Sequence, residues 1–520
     1  MTNIADARDI GSSGIMKGKL YHARELNVVS AVISISGIIF QLLLASNMSY
    51  LLGNAIVQYS VTIGLFLCGM GVGSYLSRYI GDKHLYTRFI AVQLIIALVG
   101  GSSVFLLFTA YAYTDFYRPL AYLLILLIGT NVGCELPILV RMVTEIMHSL
   151  KDGAANILAW DYIGSLIGSL LVPFLIIPFF GYVRGAFTIG FLNLCVAVFI
   201  FWRYYHKITN KTILGFITVA IALILLGGIV TGDALSFSME QKLYKDYIIK
   251  SFDTQYQKVT LTKNDKDLRL YLNGNLQFSS LDEYRYHEPL VHIPAAVTPR
   301  RNHVLVLGGG DGMAVRELLK YEDVKDITLV DLDKALVEFC REEPLIARIN
   351  NKSLESPKVK IINQDAYKYL ENNQTLYNII IVDLPDPNNE SLNKLYTLEF
   401  YTLIKDHLAP GGTVSIQSTS PVFAPKVFWT IVNTVEAVGL EVFPYHADVP
   451  SFGNWGFTLA ANYDIKPGKI DIQTDTKYLN NQIIPGMFTF ARDEKVDTDA
   501  VNTLLKPVIL PMYMDAWQNY

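Results

Sequence analysis

The first 235 residues contain seven apolar stretches, near 27–50, 55–77, 87–110, 119–140, 157–180, 184–204 and 212–231. Each is close to the roughly 20 residues that an α-helix needs to cover about 30 Å of hydrocarbon. That half of the chain therefore reads as a multi-pass bundle of seven membrane-spanning helices in a cell (inner) membrane, with the lipid bilayer as its partner. Charge divides at the same place. Residues 1–235 carry 14 Lys/Arg against 10 Asp/Glu, a balance of +4, and the remainder carries 29 against 37, a balance of −8. An acidic water-soluble half argues against nucleic-acid binding, which wants a basic footprint. With 51% hydrophobic residues over 520 positions, a disordered chain is also excluded. The reading divides the chain into a tail (1–25), the bundle (26–232), a linker (233–250), a small β unit (251–295), a main α/β domain (296–500) and a second tail (501–520).

Residues 1–25 are polar, and the apolar run after them lacks a small-residue cleavage signature, so the first span is a membrane helix and not a removed signal peptide. Cys68, Cys134 and Cys195 sit in apolar runs and Cys340 in the polar half, which leaves no disulfide framework and no metal cluster to build. Gly64, Gly69, Gly71 and Gly73 in the second span, and Gly164 and Gly168 in the fifth, fit close helix–helix approach.

Loop charge gives an orientation. The side holding the N-terminus carries Arg8, Lys17, Lys19, Arg24, Arg78, Lys83, Arg88, Arg141, Lys151, Arg203, Lys207 and Lys211, and the opposite loops carry Arg118 and Arg184. This bias places the N-terminus in the cytoplasm. Seven spans then put the C-terminal half outside, whereas an even number would put it inside, and the side of that half stays open. Two acids, Glu135 and Asp161, lie at membrane depth. They read either as a polar pathway or small cation site, or as a structural hydrogen-bonded pair.

Beyond residue 240 the pattern shortens. YQKVTLT, LRLYLNG and LQFS read as antiparallel strands. RNHVLVLGGGDGMAVRELLKY then gives a strand, a glycine turn and a helix, followed by the strands DITLVDLD, KVKIINQDAYKYL, YNIIIVDLPDP and GGTVSIQSTS. They alternate with helical stretches at 312–321, 334–345, 395–408 and 424–438, the pattern of an open parallel α/β sheet, which binds ligands outside the carboxyl ends of its strands.

Polar residues gather at those strand ends. The turn Gly308, Gly309, Gly310, Asp311, Gly312 allows close backbone approach, but it lacks dinucleotide spacing and puts Asp311 where a pyrophosphate would be repelled, so a phosphate-poor nucleoside fits better. Asp331, about 20 residues on, ends the next strand where a carboxylate accepts from ribose hydroxyls. Asp365 with Ala366, and Asp383 with Asp386 in DLPDP, extend the acidic field. Such a field suits a cationic donor and an acceptor with ammonium groups, and a strand-end carboxylate can remove a proton from the ammonium before attack.

These residues resemble the polyamine aminopropyltransferases, the spermidine synthase family, in a multi-pass membrane-anchored form. The likeness is carried in order by Tyr256–Gln257, Leu272–Asn273–Gly274 with Gln277, Glu283–Tyr286–His287–Glu288 with His292, GGGDG with Arg316–Glu317, Asp331–Leu332–Asp333, Asp365–Ala366 and Asp383 to Pro387. Gln417, Ser420–Pro421 and Trp455–Gly456–Phe457 complete it, over roughly residues 245–495.

The resemblance implies a Rossmann-like, methyltransferase-type α/β domain that works as a homodimer without a metal or prosthetic group. It implies aminopropyl transfer from decarboxylated S-adenosylmethionine, a co-substrate, to a diamine such as putrescine. Gln257, Asp331, Asp365 and Ala366 would hold the donor beside Gly308 and Gly310. Tyr286, His287, Asp311 and Asp386 would place the amine, and Asp383 would be the general base. Two departures stand out: Asp331 replaces the family's usual Glu, and Asn388–Asn389–Glu390 replaces the Ile-Gly-Pro run that closes over the site. The alternatives are an S-adenosylmethionine-dependent methyltransferase and a non-catalytic polyamine-binding or transport protein.

Overall fold

The computed structural model describes residues 5–518, with side chains described from residue 21 to residue 516. It forms two compact units, Met1–Lys245 and Asp246–Tyr520.

The first unit is all helical: α1 (Ala5–Leu52), α2 (Ala55–Leu76), α3 (Leu85–Tyr113), α4 (Tyr117–Met147), α5 (Leu150–Leu171), α6 (Ile177–Arg203) and α7 (Lys211–Leu243). The expected polar tail is thus helical from Ala5, because a polar run can extend a helix already nucleated by the apolar run beyond it. Arg8, Lys17 and Lys19 of the charge count lie outside the residues whose side chains are described. Among the described residues, six helical segments are long and apolar enough to cross a membrane, the fifth being the 54-residue Leu150–Arg203.

That segment reverses direction. Pro173 and Pro178 remove two helical donors around a π-helical turn at Val172–Ile176, and Gly181 then adopts φ 65°, ψ −172°. An added Cβ on Gly185 would lie 2.7 Å from Ile176 Cγ2, although nine residues of continuous helix would separate the two by roughly 13 Å. One end of the bundle pairs Arg203 with Glu25 (3.0 Å), Lys207 with Glu145 (2.8 Å) and Arg141 with Asp82 (3.2 Å). The other end pairs Arg184 with Asp233 at 3.2 Å and stacks Tyr50 on Tyr182.

Glycines bring the helices close, though not all those expected to. An added Cβ would lie 1.9 Å from Thr130 O at Gly73 and 2.3 Å from Ala31 O at Gly164, so α2 meets α4, and α5 meets α1, through backbone. Gly64 and Gly71 face open space.

The second unit opens with a meander of β1 (Tyr247–Asp253), β2 (Lys258–Lys263), β3 (Leu268–Leu272) and β4 (Asn275–Ser279). The stretch expected as a linker, 233–250, is occupied by the end of α7 and the start of β1. Asn273 (φ 50°) and Gly274 (φ 82°) make the two-residue turn between β3 and β4, which needs positive φ at both positions.

The larger sheet contains β5 (His303–Gly308), β6 (Asp326–Asp331), β7 (Val359–Asn363), β8 (Tyr377–Asp383), β9 (Leu408–Gln417), β10 (Glu441–Val449) and β11 (Gly453–Ala461), in the order 10-11-9-8-5-6-7. Strands β5 to β9 pair in parallel, but β10 and β11 are antiparallel, so the sheet is mixed and not parallel throughout. Alternate residues of β5 and β8 serve two cores: Val304, Val306, Ile379 and Ile381 on one face, Leu305, Leu307, Ile380 and Val382 on the other. The order reverses between β5 and β8, whose ends pair Gly308 with Asp383. This switch point leaves a crevice outside the strand ends. The stretch expected as a C-terminal tail contains the helix Ile509–Gln518.

Candidate active site

The glycine turn is pressed against the end of β8. Gly308 (φ 79°) and Gly309 (φ 67°) need the left-handed region, and Gly309 N donates to Asp383 O at 3.0 Å. A Cβ on Gly308 would lie 2.1 Å from that carbonyl. Asp383 is thereby fixed beside the turn, and its Oδ1 accepts from the Tyr286 hydroxyl at 2.7 Å. Burial, with the Asp311 charge, pushes the Asp383 carboxyl up to about 6 against the opposing pull of His287 and Tyr286.

Tyr286→Phe removes a donor that favours the charged carboxylate, so Asp383 should titrate higher still. With a bond to a charged group worth roughly 1.5–3 kcal/mol, the acidic limb of kcat/KM is expected to move up by about one to two pH units. An unmoved limb in a pH–rate profile would contradict this.

Asp331 ends β6 and is held at both oxygens: Gly310 N donates to Oδ2 at 3.1 Å and Asp333 N to Oδ1 at 2.9 Å. Burial, followed by the charge of Asp333, raises it to about 6 despite those bonds. The shorter acid suits this turn, because a Cβ on Gly310 would lie 2.6 Å from Asp331 Oδ2. Gln257 does not reach Asp331; its Nε2 donates to Asp333 Oδ2 at 2.9 Å, where Thr254 also donates at 2.6 Å.

Asp365 caps the helix Ala366–Glu371, accepting from Lys368 N at 3.2 Å, and Ala366 is buried behind it. The Lys394 ammonium lies 2.5 Å from Asp365 Oδ2. Burial would raise this carboxyl, but the bonds from Lys394 and the helix backbone outweigh it and lower it. Lys394 follows Asn388–Asn389–Glu390, where Asn389 caps a short helix, Glu390–Asn393.

Asp386 accepts three side-chain hydrogen bonds. Gln417 Nε2 donates to its Oδ1 at 3.3 Å, and Thr419 Oγ1 and Tyr513 OH each donate to its Oδ2 at 3.0 Å. Thr419 is buried with φ 60°, a left-handed conformation that turns its hydroxyl onto the carboxylate. Burial lifts Asp386 to about 6.

His287 sits on the helix Tyr284–Val297 with its ring edge-on to Tyr286. Its Nδ1 lies 3.0 Å from Glu283 Oε2. Burial opposes its charge, but Glu283, Asp311 and Asp383 outweigh burial and raise it to about 9. Arg316 holds Glu283 with two bonds of 2.9 Å and Glu317 with one of 2.8 Å, and Glu317 reaches His292 at 2.8 Å. Burial would raise Glu283, yet His287 and Arg316 bring it down to about 2. Asp311 accepts from Met313 N at 2.8 Å at the start of the next helix.

Asp331 and Asp383 are therefore two half-buried strand-end acids, joined by the half-buried Asp386 just past β8, with a protonated His287 among them and Asp311 on the turn. Sequence reasoning gave no role to Asp333, Glu283, Arg316, Lys394, Thr419 or Tyr513. The first three lie inside quoted motifs, whereas Lys394 and Tyr513 lie on segments with no recognisable pattern. Glu135 and Asp161 belong to the helical unit: Gln93 Nε2 donates to Glu135 and the Ser34 hydroxyl to Asp161. Among the described residues no three His, Cys, Asp or Glu side chains are grouped as metal ligands.

A spermine/spermidine synthase domain model matches residues 283–467. A polyamine aminopropyltransferase of Oceanobacillus iheyensis is 44% identical over 497 residues, covering 94% of this chain and 97% of its own. One of Leptospira interrogans is 39% identical over 488 residues, covering 94% and 97%. Among solved structures, a spermidine synthase in complex with the transition-state analogue AdoDATO is 26% identical, with a TM-score of 0.44, over 47% of this chain and 85% of that one. Identity at this level, running through both units, makes the chain a transferase of the polyamine aminopropyltransferase family.

Proposed function

We propose that the enzyme moves the aminopropyl group of decarboxylated S-adenosylmethionine onto a terminal amine of putrescine, giving spermidine and 5′-methylthioadenosine. The observation that carries this reading is the half-buried Asp383 carboxylate at the switch point, backed by the glycine turn on one side and Tyr286 on the other. With a titration point near 6 it is ionised at neutral pH, yet more basic than an ordinary carboxylate. Asp383 takes a proton from the substrate ammonium, and the freed nitrogen attacks the propyl carbon bonded to the sulfonium. The C–N bond forms as the C–S bond breaks, and its electron pair leaves on sulfur as a neutral thioether.

Positioning does the rest. Asp331, fixed at both oxygens, faces the ribose hydroxyls of the donor, while Gln257 braces it through Asp333. Asp365 and Ala366 bound the adenosyl end, beside Gly308 and Gly310. Asp311 and Asp386 attract the cationic acceptor and His287 limits how close it comes. No resident metal or prosthetic group takes part in this scheme. Mass spectrometry of the products from a panel of amines tests it: putrescine should gain one aminopropyl group faster than longer amines, and an unmodified panel would refute it.

Tyr513 braces Asp386, so Tyr513→Phe should raise the amine KM by roughly three- to tenfold, a loss on the scale of one hydrogen bond, while leaving the donor KM in place. An unchanged amine KM would remove Asp386 from the acceptor site.

The helical unit is read as lying in a bilayer, with each of its seven helices crossing once, Leu150–Arg203 supplying two crossings through its reversal at Gly181. A reporter fused to the C-terminus tests the odd count. Homodimer assembly follows from family likeness, and light scattering in detergent measures it.

A further inference from the structure

The helical unit holds a polar layer that aminopropyl transfer does not use. Glu135 is 3% exposed, and its partner among the described residues is the Gln93 amide. Asp161 is held by Ser34 and lies within electrostatic reach of Glu135. Neither acid forms an ion pair among the described residues; Arg141, Arg184, Arg203 and Lys207 instead pair with Asp82, Asp233, Glu25 and Glu145 at the ends of the unit.

Beside these acids are buried amide atoms without a partner among the described residues. Gln93 Oε1 has no partner, and Asn193, 1% exposed, has none at either Oδ1 or Nδ2. Helix geometry aims Asn193 at the layer. An added Cβ on Gly190 would lie 2.6 Å from Ala97 O, so α3 and α6 touch there, and the Phe105–Phe187 ring contact shows that they run antiparallel. One turn from that contact, in the same direction along the bundle, α3 reaches Gln93 and α6 reaches Asn193, on the faces that meet. The same reasoning places Ser34 level with Glu135, because Gly37 packs on Val132. Five helices thus bring Ser34, Gln93, Glu135, Asp161 and Asn193 to one depth. Unpaired carboxylates and amides at such a depth are costly.

We propose that this layer is a second binding site, for a small organic cation carrying primary ammonium groups. An ammonium offers three N–H donors, which match Glu135, the Gln93 carbonyl and the Asn193 carbonyl, and its charge compensates a carboxylate that lacks a cation. A second ammonium on the same molecule would compensate Asp161. The choice of an amine over an inorganic cation rests on the amine chemistry proposed for the soluble unit.

Equilibrium binding of radiolabelled putrescine to the full chain in lipid nanodiscs tests it. The wild type should bind two equivalents, and Glu135→Gln and Asn193→Leu should each bind one, with circular dichroism reporting their fold. A wild type that binds one equivalent and loses it in Glu135→Gln supports the bundle site while refuting the soluble amine site. Stoichiometry unchanged in both variants overturns the proposal, as does a bundle equivalent displaced by sodium as readily as by spermidine. In the wild type, putrescine should also protect Glu135 from a hydrophobic carbodiimide, read by peptide mass spectrometry. Undiminished labelling at saturating amine would overturn it without reliance on any variant.

Discussion

Asp383→Asn is expected to lower kcat by about 10²–10⁴-fold, the range for losing a positioned general base, with little change in the donor KM. The substitution keeps the shape of the side chain, and its carbonyl can still accept the Tyr286 hydroxyl that Asp383 accepts at 2.7 Å. The backbone bond from Gly309 is untouched, because it is made by the Asp383 carbonyl. What disappears is the ability to take a proton from the ammonium. The remaining rate should lose the acidic limb near 6 and depend instead on the fraction of amine that is already neutral. Steady-state kinetics across pH checks both points; a variant with wild-type turnover would take proton removal away from Asp383.

Arg316→Met should have the largest effect on stability, about 3–5 kcal/mol by urea unfolding of the full chain. Arg316 is largely buried and holds two carboxylates, Glu283 and Glu317, whose side chains are each 2% exposed. Removing the guanidinium leaves both underpaired, which costs more than the pair itself contributed. The sign of the pH dependence follows from Glu283. Its folded carboxyl is depressed to about 2, so the stabilisation it brings is present above about 4.5 and is lost as pH falls through 2. In Arg316→Met the folded carboxyl should titrate higher, so less of this stabilisation remains to be lost and its loss should be complete at higher pH. With the guanidinium gone, Glu283 has mainly His287 left to balance its charge, so the same variant should raise the His287 titration above about 9. Unfolding free energies equal to wild type from pH 3 to 8 would show that the network is not structural.

The parts of this architecture that were legible in the sequence are those written locally. Alternating apolar runs announce β5, β6 and β8, and the acids that end them, Asp331 and Asp383, fall at the crevice because a parallel sheet sends its strand ends there. The glycine turn was legible for the same reason: Gly308 and Gly310 sit where backbone must approach closely. Contacts made across long separations were not. Tyr513 reaches Asp386 across 127 residues and Lys394 reaches Asp365 across 29, and neither reach leaves a periodic trace. Gln257 donates to one oxygen of Asp333, whose other oxygen caps the following helix, a pairing that spacing cannot express. Residues 5–25 read as a tail, and residues 247–250 at the start of β1 as a linker, because polar segments lack the apolar rhythm on which such readings depend. The antiparallel β11 leaves no such trace, because it inserts between β9 and β10 by a tight turn out of β10, a placement that alternation of strands and helices does not encode.

Donor choice tests the central claim most directly. Purified full-length protein supplied with putrescine and equal concentrations of decarboxylated and ordinary S-adenosylmethionine should release 5′-methylthioadenosine in step with spermidine, and no S-adenosylhomocysteine. Release of S-adenosylhomocysteine with a methylated amine would contradict aminopropyl transfer and make the same acidic crevice a methyltransferase site.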